Sequence, residues 1–112
     1  MAFRGDLEAL ILAVLLEGPK HGYEISKQIK AVSGKTLQFG EGQLYPALHK
    51  LEEAGSVRAA WEPQDGKPPR KIYSLTESGK SQLEKKKVEW SKFQESVTLI
   101  LGIGPLEEPS RG

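Results

Sequence analysis

The spacing of apolar residues changes from a helical period to a strand period after Gly55, and changes back at Thr76. This double switch limits the fold more than any other feature of the chain. Before it lie three segments with helical spacing. After Asp6, a plausible N-cap, Leu7, Leu10, Ile11, Val14 and Leu15 follow the i, i+3, i+4 pattern until Gly18-Pro19 stops them. A second helix is expected from about His21 to Ser33, with Tyr23, Ile25, Ile29 and Val32 as its apolar residues and Gly34 just past its end. A loop from Lys35 to Glu41 follows, with Leu37 and Phe39 as anchors. A third helix runs from near Gly42 to Gly55, with Leu44, Leu48 and Leu51 on one face. Pro46 is placed in its first turn or just beyond, where a missing N–H costs little.

Inside the switch, Val57 to Glu62 and Arg70 to Leu75 read as two short strands. Asp65-Gly66 marks the tip between them, and Pro63, Pro68 and Pro69 are expected to stop further pairing. Two strands alone are marginal in water, so the hairpin must lean on the helices. Thr76 then caps a last helix, Glu77 to Leu101, roughly 37 Å long at 1.5 Å per residue. Leu83, Trp90, Phe93, Val97, Ile100 and Leu101 share one stripe of it. A heptad reading of that stripe puts Lys86 at a seam position, which weakens a strict coiled coil.

Three helices, a hairpin and a long helix define the expected class: mainly α with a β-hairpin, a winged helix-turn-helix over residues 1–75. Residues 76–101 form a C-terminal dimerisation helix packed on the first helix, and 102–112 a flexible tail. A chain of 112 residues suits one modest core, which a partner subunit would supplement. It has no cysteine, hence no disulfide framework and no cysteine-based metal or redox site. The longest apolar run, Ala9 to Leu16, is too short to cross a bilayer, and no leader pattern is seen at the N-terminus. A cytoplasmic protein with no membrane partner is expected. The histidines His21 and His49 have no metal-ligand or catalytic company, and Glu52-Glu53 reads as a solvated pair. No enzyme activity, metal or cofactor is expected.

The net charge of +1 looks unsuited to nucleic acid. By segment, residues 1–19 carry −2, residues 20–92 carry +5 and residues 93–112 carry −2. The flanks therefore hide a basic middle. With its leucines inward, the third helix points Gln43, Pro46, His49, Lys50 and Glu53 outward. Gln43 and His49 can bond base edges, and Lys50 a guanine edge or a phosphate. An ordinary solvated helix face fits equally well. Lys67, Arg70 and Lys71 beside a proline-rich turn suit a phosphate backbone, and also suit a protected sheet edge. Their position directly after the third helix favours DNA. A winged helix used as a protein-binding adaptor, with the aromatic helix docking another chain, remains the alternative.

Four stretches in order resemble the PadR family of transcriptional regulators: Leu10 to Leu15, Gly18-Pro19-Lys20-His21-Gly22-Tyr23-Glu24-Ile25, Leu44-Tyr45-Pro46 through Gly55, and Arg70-Lys71-Ile72-Tyr73-Ser74-Leu75-Thr76-Glu77-Ser78-Gly79. The resemblance covers about residues 7 to 101. It implies a homodimeric repressor that binds a palindromic operator and is released by a small effector. It implies that Tyr45 either bonds a phosphate or packs half-buried at the surface, and that Tyr23 packs. With one helix after the wing, the chain is similar to the short subgroup that includes multidrug-sensing repressors. That likeness places an aromatic effector at Trp90, flanked by Phe93 and Val97. A plain packing role fits Trp90 as well. The dimer surface is expected from Leu7, Leu10, Ile11, Val14, Leu83, Trp90, Phe93, Val97 and Leu101.

Overall fold

Asp6 precedes the first helix, but its carboxylate does not cap that helix. It crosses to the last helix, where it accepts from Lys86 Nζ at 3.2 Å and from the Trp90 indole N–H. The computed structural model describes residues 6–103. Its elements are α1 (Leu7–Leu15), β1 (Lys20–His21), α2 (Gly22–Val32), α3 (Glu41–Glu53), β2 (Val57–Gln64), β3 (Lys67–Leu75) and α4 (Glu77–Leu101). The tail expected over 102–112 lies outside the described residues beyond Ile103.

Leu44, Leu48 and Leu51 of α3 are all buried, as their spacing predicts. They meet Ile11, Leu12 and Leu15 of α1, Ile25 and Ile29 of α2, and Val57 and Tyr73 of the sheet. Each fully buried aliphatic side chain contributes roughly 1.5–3 kcal/mol. Leu83 of α4 joins the same cluster. This corrects two expected dimer residues. Ile11 and Leu83, 0% and 2% exposed, lie in the chain's own core and present nothing to a second chain. Leu7, Leu10 and Val14 are only half-buried against it.

The sheet has three strands in the order β1-β3-β2, all antiparallel. The short β1, which pairs Lys20 with Tyr73 and His21 with Ile72, has no periodicity of its own to reveal it. The hairpin also runs further than its prolines predict, down to Gln64 opposite Lys67. A bulge absorbs them: Pro63 alone on β2 faces Pro68 and Pro69 on β3. Gly66 takes the left-handed conformation, with φ 67°, that closes the tip.

Two residues expected on the apolar side of α2 are turned outward. Its buried line runs through Gly22, Ile25 and Ile29, which leaves Tyr23 and Val32 outward, Tyr23 70% exposed. The last helix begins as predicted, with the Thr76 hydroxyl accepting from Gly79 N–H at 3.0 Å. Phe93, Leu99, Ile100 and Leu101 are exposed at its far end.

Candidate nucleic-acid interface

Burial of three leucines turns the polar side of α3 outward. Gln43, Tyr45, Pro46, His49 and Lys50 are all exposed there. Pro46 sits inside the helix, beyond its first turn. This face, the N-terminal edge of α2 and the hairpin enclose one open cleft of about 840 Å³. Tyr23, Lys27, Tyr45, His49, Trp61, Arg70 and Lys71 are among its walls. The two helices are held close by Gly22, where an added Cβ would strike the Tyr45 hydroxyl and ring. That contact seats Tyr45 with its ring on α2 and part of its surface in the cleft. At the start of α2, His21 N–H and Nδ1 both meet Glu24 Oε1, at 3.0 and 2.8 Å.

Most of the basic side chains expected to face DNA already meet a carboxylate. Lys50 Nζ lies 3.7 Å from Glu8, His49 Nε2 3.3 Å from Glu53, and Arg70 Nε 3.0 Å from Glu62. Such exposed pairs are weak and exchange readily for a phosphate. Lys67, exposed beside the tip, makes no ion pair among the described residues. Lys71 differs from the other wing cations. It lies 3.3 Å from Glu52 and sits over the rings of Trp61 and Tyr73, at 5.7 and 5.8 Å. Burial raises the Tyr73 phenol above its ordinary range, and the Glu52 carboxylate and Tyr45 add to that.

Four residues of this cleft escaped the sequence reading of its chemistry. Trp61 is 66% exposed on β2, and Glu52 is half-buried beside Lys71 and not a solvated twin of Glu53. Tyr23 and Lys27 form a ring–cation pair at 5.6 Å. The i,i+4 spacing of Tyr23 and Lys27 was the available signal. Trp61 and Glu52 carry none that is local.

The second cluster lies on α4. Trp90 is half-buried, bonded to Asp6 and edge-on to Phe93 at 5.4 Å. Val97 is half-buried and Leu101 exposed beyond it.

A helix-turn-helix whose second helix shares a cleft with a β-wing defines the winged-helix class. The family model described as "Transcriptional regulator PadR-like family" matches residues 11–85. Protein X of Lysinibacillus sphaericus is 32% identical over 98 residues, which span 88% of this chain and 90% of that protein. The negative transcriptional regulator PadR of Bacillus subtilis is 35% identical over 77 residues, 69% of this chain but only 42% of that protein. Among solved structures, a transcriptional regulator from Clostridium thermocellum matches with a TM-score of 0.79 at 29% identity, over 85% of this chain and 92% of that one. Bacillus subtilis PadR in complex with operator DNA matches with a TM-score of 0.69 at 32% identity, over 75% of this chain and 48% of that one. The chain belongs to the PadR-like family of transcriptional regulators. No helix among the described residues is long and apolar enough to cross a membrane.

Proposed function

We propose that this chain is a homodimeric repressor that binds a palindromic operator and releases it when a small aromatic or apolar compound binds. The observation that carries the reading is the single cleft shared by α2, α3 and the wing, lined by cations and aromatic rings. The similarity to Bacillus subtilis PadR, solved on operator DNA, supports it. In this reading Gln43 and His49 read base edges. Lys50, Tyr45, Lys67 and Arg70 meet phosphates, with Pro46 close to the backbone. Two such faces in a dimer would engage half-sites about 34 Å apart.

The second copy is supported by the apolar end of α4 and by an open apolar groove of about 210 Å³ on α1 and α2. Leu10, Val14, Ile29 and Val32 are among its walls. Leu7, Leu10, Val14, Trp90, Phe93, Val97 and Leu101 then form the dimer surface. The effector site of the short, drug-sensing kind falls at Trp90, Phe93 and Val97. A flat ring there must favour one dimer geometry over the other in order to release DNA.

Gel-shift titration on the chain's own promoter tests both halves. The expected result is a sequence-selective complex at physiological salt, dissociated by planar aromatic compounds in wild type but not in Trp90→Ala. Gln43→Ala should change sequence preference more than total affinity. Lack of any selective complex, with capture of one stable protein partner, would leave the adaptor reading in its place.

A further inference from the structure

We propose that Lys71 is a positioning residue that ties the wing to α3, with Glu52, Trp61 and Tyr73 as its partners, and is not a phosphate ligand. The proposal rests on the DNA-binding reading above and alters the role of one of its cations. Two ion pairs involve the neighbouring residues Arg70 and Lys71. Arg70 meets Glu62, its own cross-strand partner, so that pair links the hairpin only to itself. Its two side chains are close to half exposed, at 45% and 47%. Lys71 meets Glu52, which belongs to α3, so this pair links the hairpin to the recognition helix.

Lys71 and Glu52 are more enclosed, at 33% and 34%. The ammonium group also lies over two rings, that of Trp61 directly across the ladder and that of Tyr73 two residues along β3. Cation–ring attraction strengthens as water is removed. A phosphate would have to replace the carboxylate and both rings together. Lys67 surrenders nothing comparable on meeting one.

The consequence concerns specificity. Non-operator binding needs only charge near phosphates, whereas operator binding needs helix and wing to meet bases and backbone at the same time. A wing held at one angle to α3 therefore favours the operator.

The test compares wild type, Lys71→Met, Glu52→Gln, the double variant and Lys67→Ala on operator and scrambled fragments over a range of salt. Methionine keeps an apolar stem against the rings and removes the charge. Lys71→Met and Glu52→Gln are each expected to lose roughly five- to tenfold in operator affinity, with the double variant no worse than either. Both should keep the wild-type salt slope. Lys67→Ala should flatten it by about 0.9. The Glu52→Gln result is the discriminating one. Removing a negative charge from a DNA-facing cleft would by itself tighten every complex, so a loss on the operator reports position and not charge. Opposite effects of the two single changes, additive losses, or a slope flattened by about 0.9 in Lys71→Met would overturn the proposal.

A DNA-free arm separates this outcome from failure of the DNA reading. With Trp90→Phe, Trp61 is the only tryptophan left. Its emission should shift equally on Lys71→Met and on Glu52→Gln. No shift means no tie, whatever the protein binds. A shift with no DNA complex overturns the role in DNA positioning and leaves the contact.

Discussion

At the scale of single residues, close approach governs two glycines, while the left-handed turn at Gly66 is a matter of backbone conformation. Gly79 stands in the first turn of α4, where helix propensity alone makes it merely tolerable. An added Cβ would fall on the Ser56 carbonyl oxygen and within 2.8 Å of Leu75 Cδ1. The carbonyl belongs to backbone that also accepts from Thr76 N–H at 3.1 Å, so it cannot yield cheaply. Gly79→Ala is expected to destabilise the fold by about 2–3 kcal/mol in urea unfolding, despite alanine's better helix propensity. Unchanged or raised stability would show that the approach is looser than this. Gly22 has a different role: its missing side chain makes room for Tyr45, so the glycine of one helix serves a residue of the next.

Among the elements, junctions matter more than interiors. The Thr76 hydroxyl accepts from Gly79 N–H and lies 2.7 Å from the Gly55 carbonyl oxygen and 3.0 Å from that of Ser56. It both starts α4 and closes the turn between α3 and β2. Ser56 in turn bonds Gln82 through its own hydroxyl. Thr76→Ala should cost about 1–2 kcal/mol of thermal or urea stability, and Thr76→Ser should recover most of it, because the hydroxyl is what both junctions share. The hairpin shows how a single residue can redirect an element. With Gln64 opposite Lys67, an unbroken ladder would set Trp61 across from Arg70. The extra residue at Pro68-Pro69 sets it across from Lys71 instead. A shift of one residue exchanges the faces of a strand. Three prolines read locally as a stop signal; paired across a ladder, they are a bulge.

For the whole molecule, the described residues form an elongated body of 61 × 27 × 24 Å. At the end of α4, Ile100 is 82% exposed, with Leu99, Leu101 and Ile103 exposed beside it. Clustered apolar exposure of this kind marks an interaction surface. In the dimer proposed above, Phe93→Ser with Ile100→Glu should give a monomer by sedimentation at micromolar concentration and abolish the operator complex. An isolated half-site fragment should be bound weakly and about equally by the variant and wild type, because it engages one subunit and gains nothing from the second. A dimer that survives both changes would place the interface elsewhere. Pairing also doubles the +5 carried by residues 20–92, which the acidic flanks conceal in the net charge of +1.

Much of this protein was legible from local spacing. Leu44, Leu48 and Leu51 define the inward face of α3, and with it the outward one, because helical period and burial are properties of neighbouring residues. Thr76, Gly34 and the Glu77–Leu101 helix follow from the same local chemistry. Contacts between segments distant in sequence required the fold. Asp6 reads as a cap, yet its carboxylate goes to Lys86 and Trp90 on α4. Glu52 reads as solvated, yet it meets a lysine nineteen positions along the chain. Ile11 and Leu83 read as an interface, yet the chain's own core takes them. In each case the residue has the same local pattern in either role. What separates the roles is which distant surface arrives beside it, and packing of the complete core sets that.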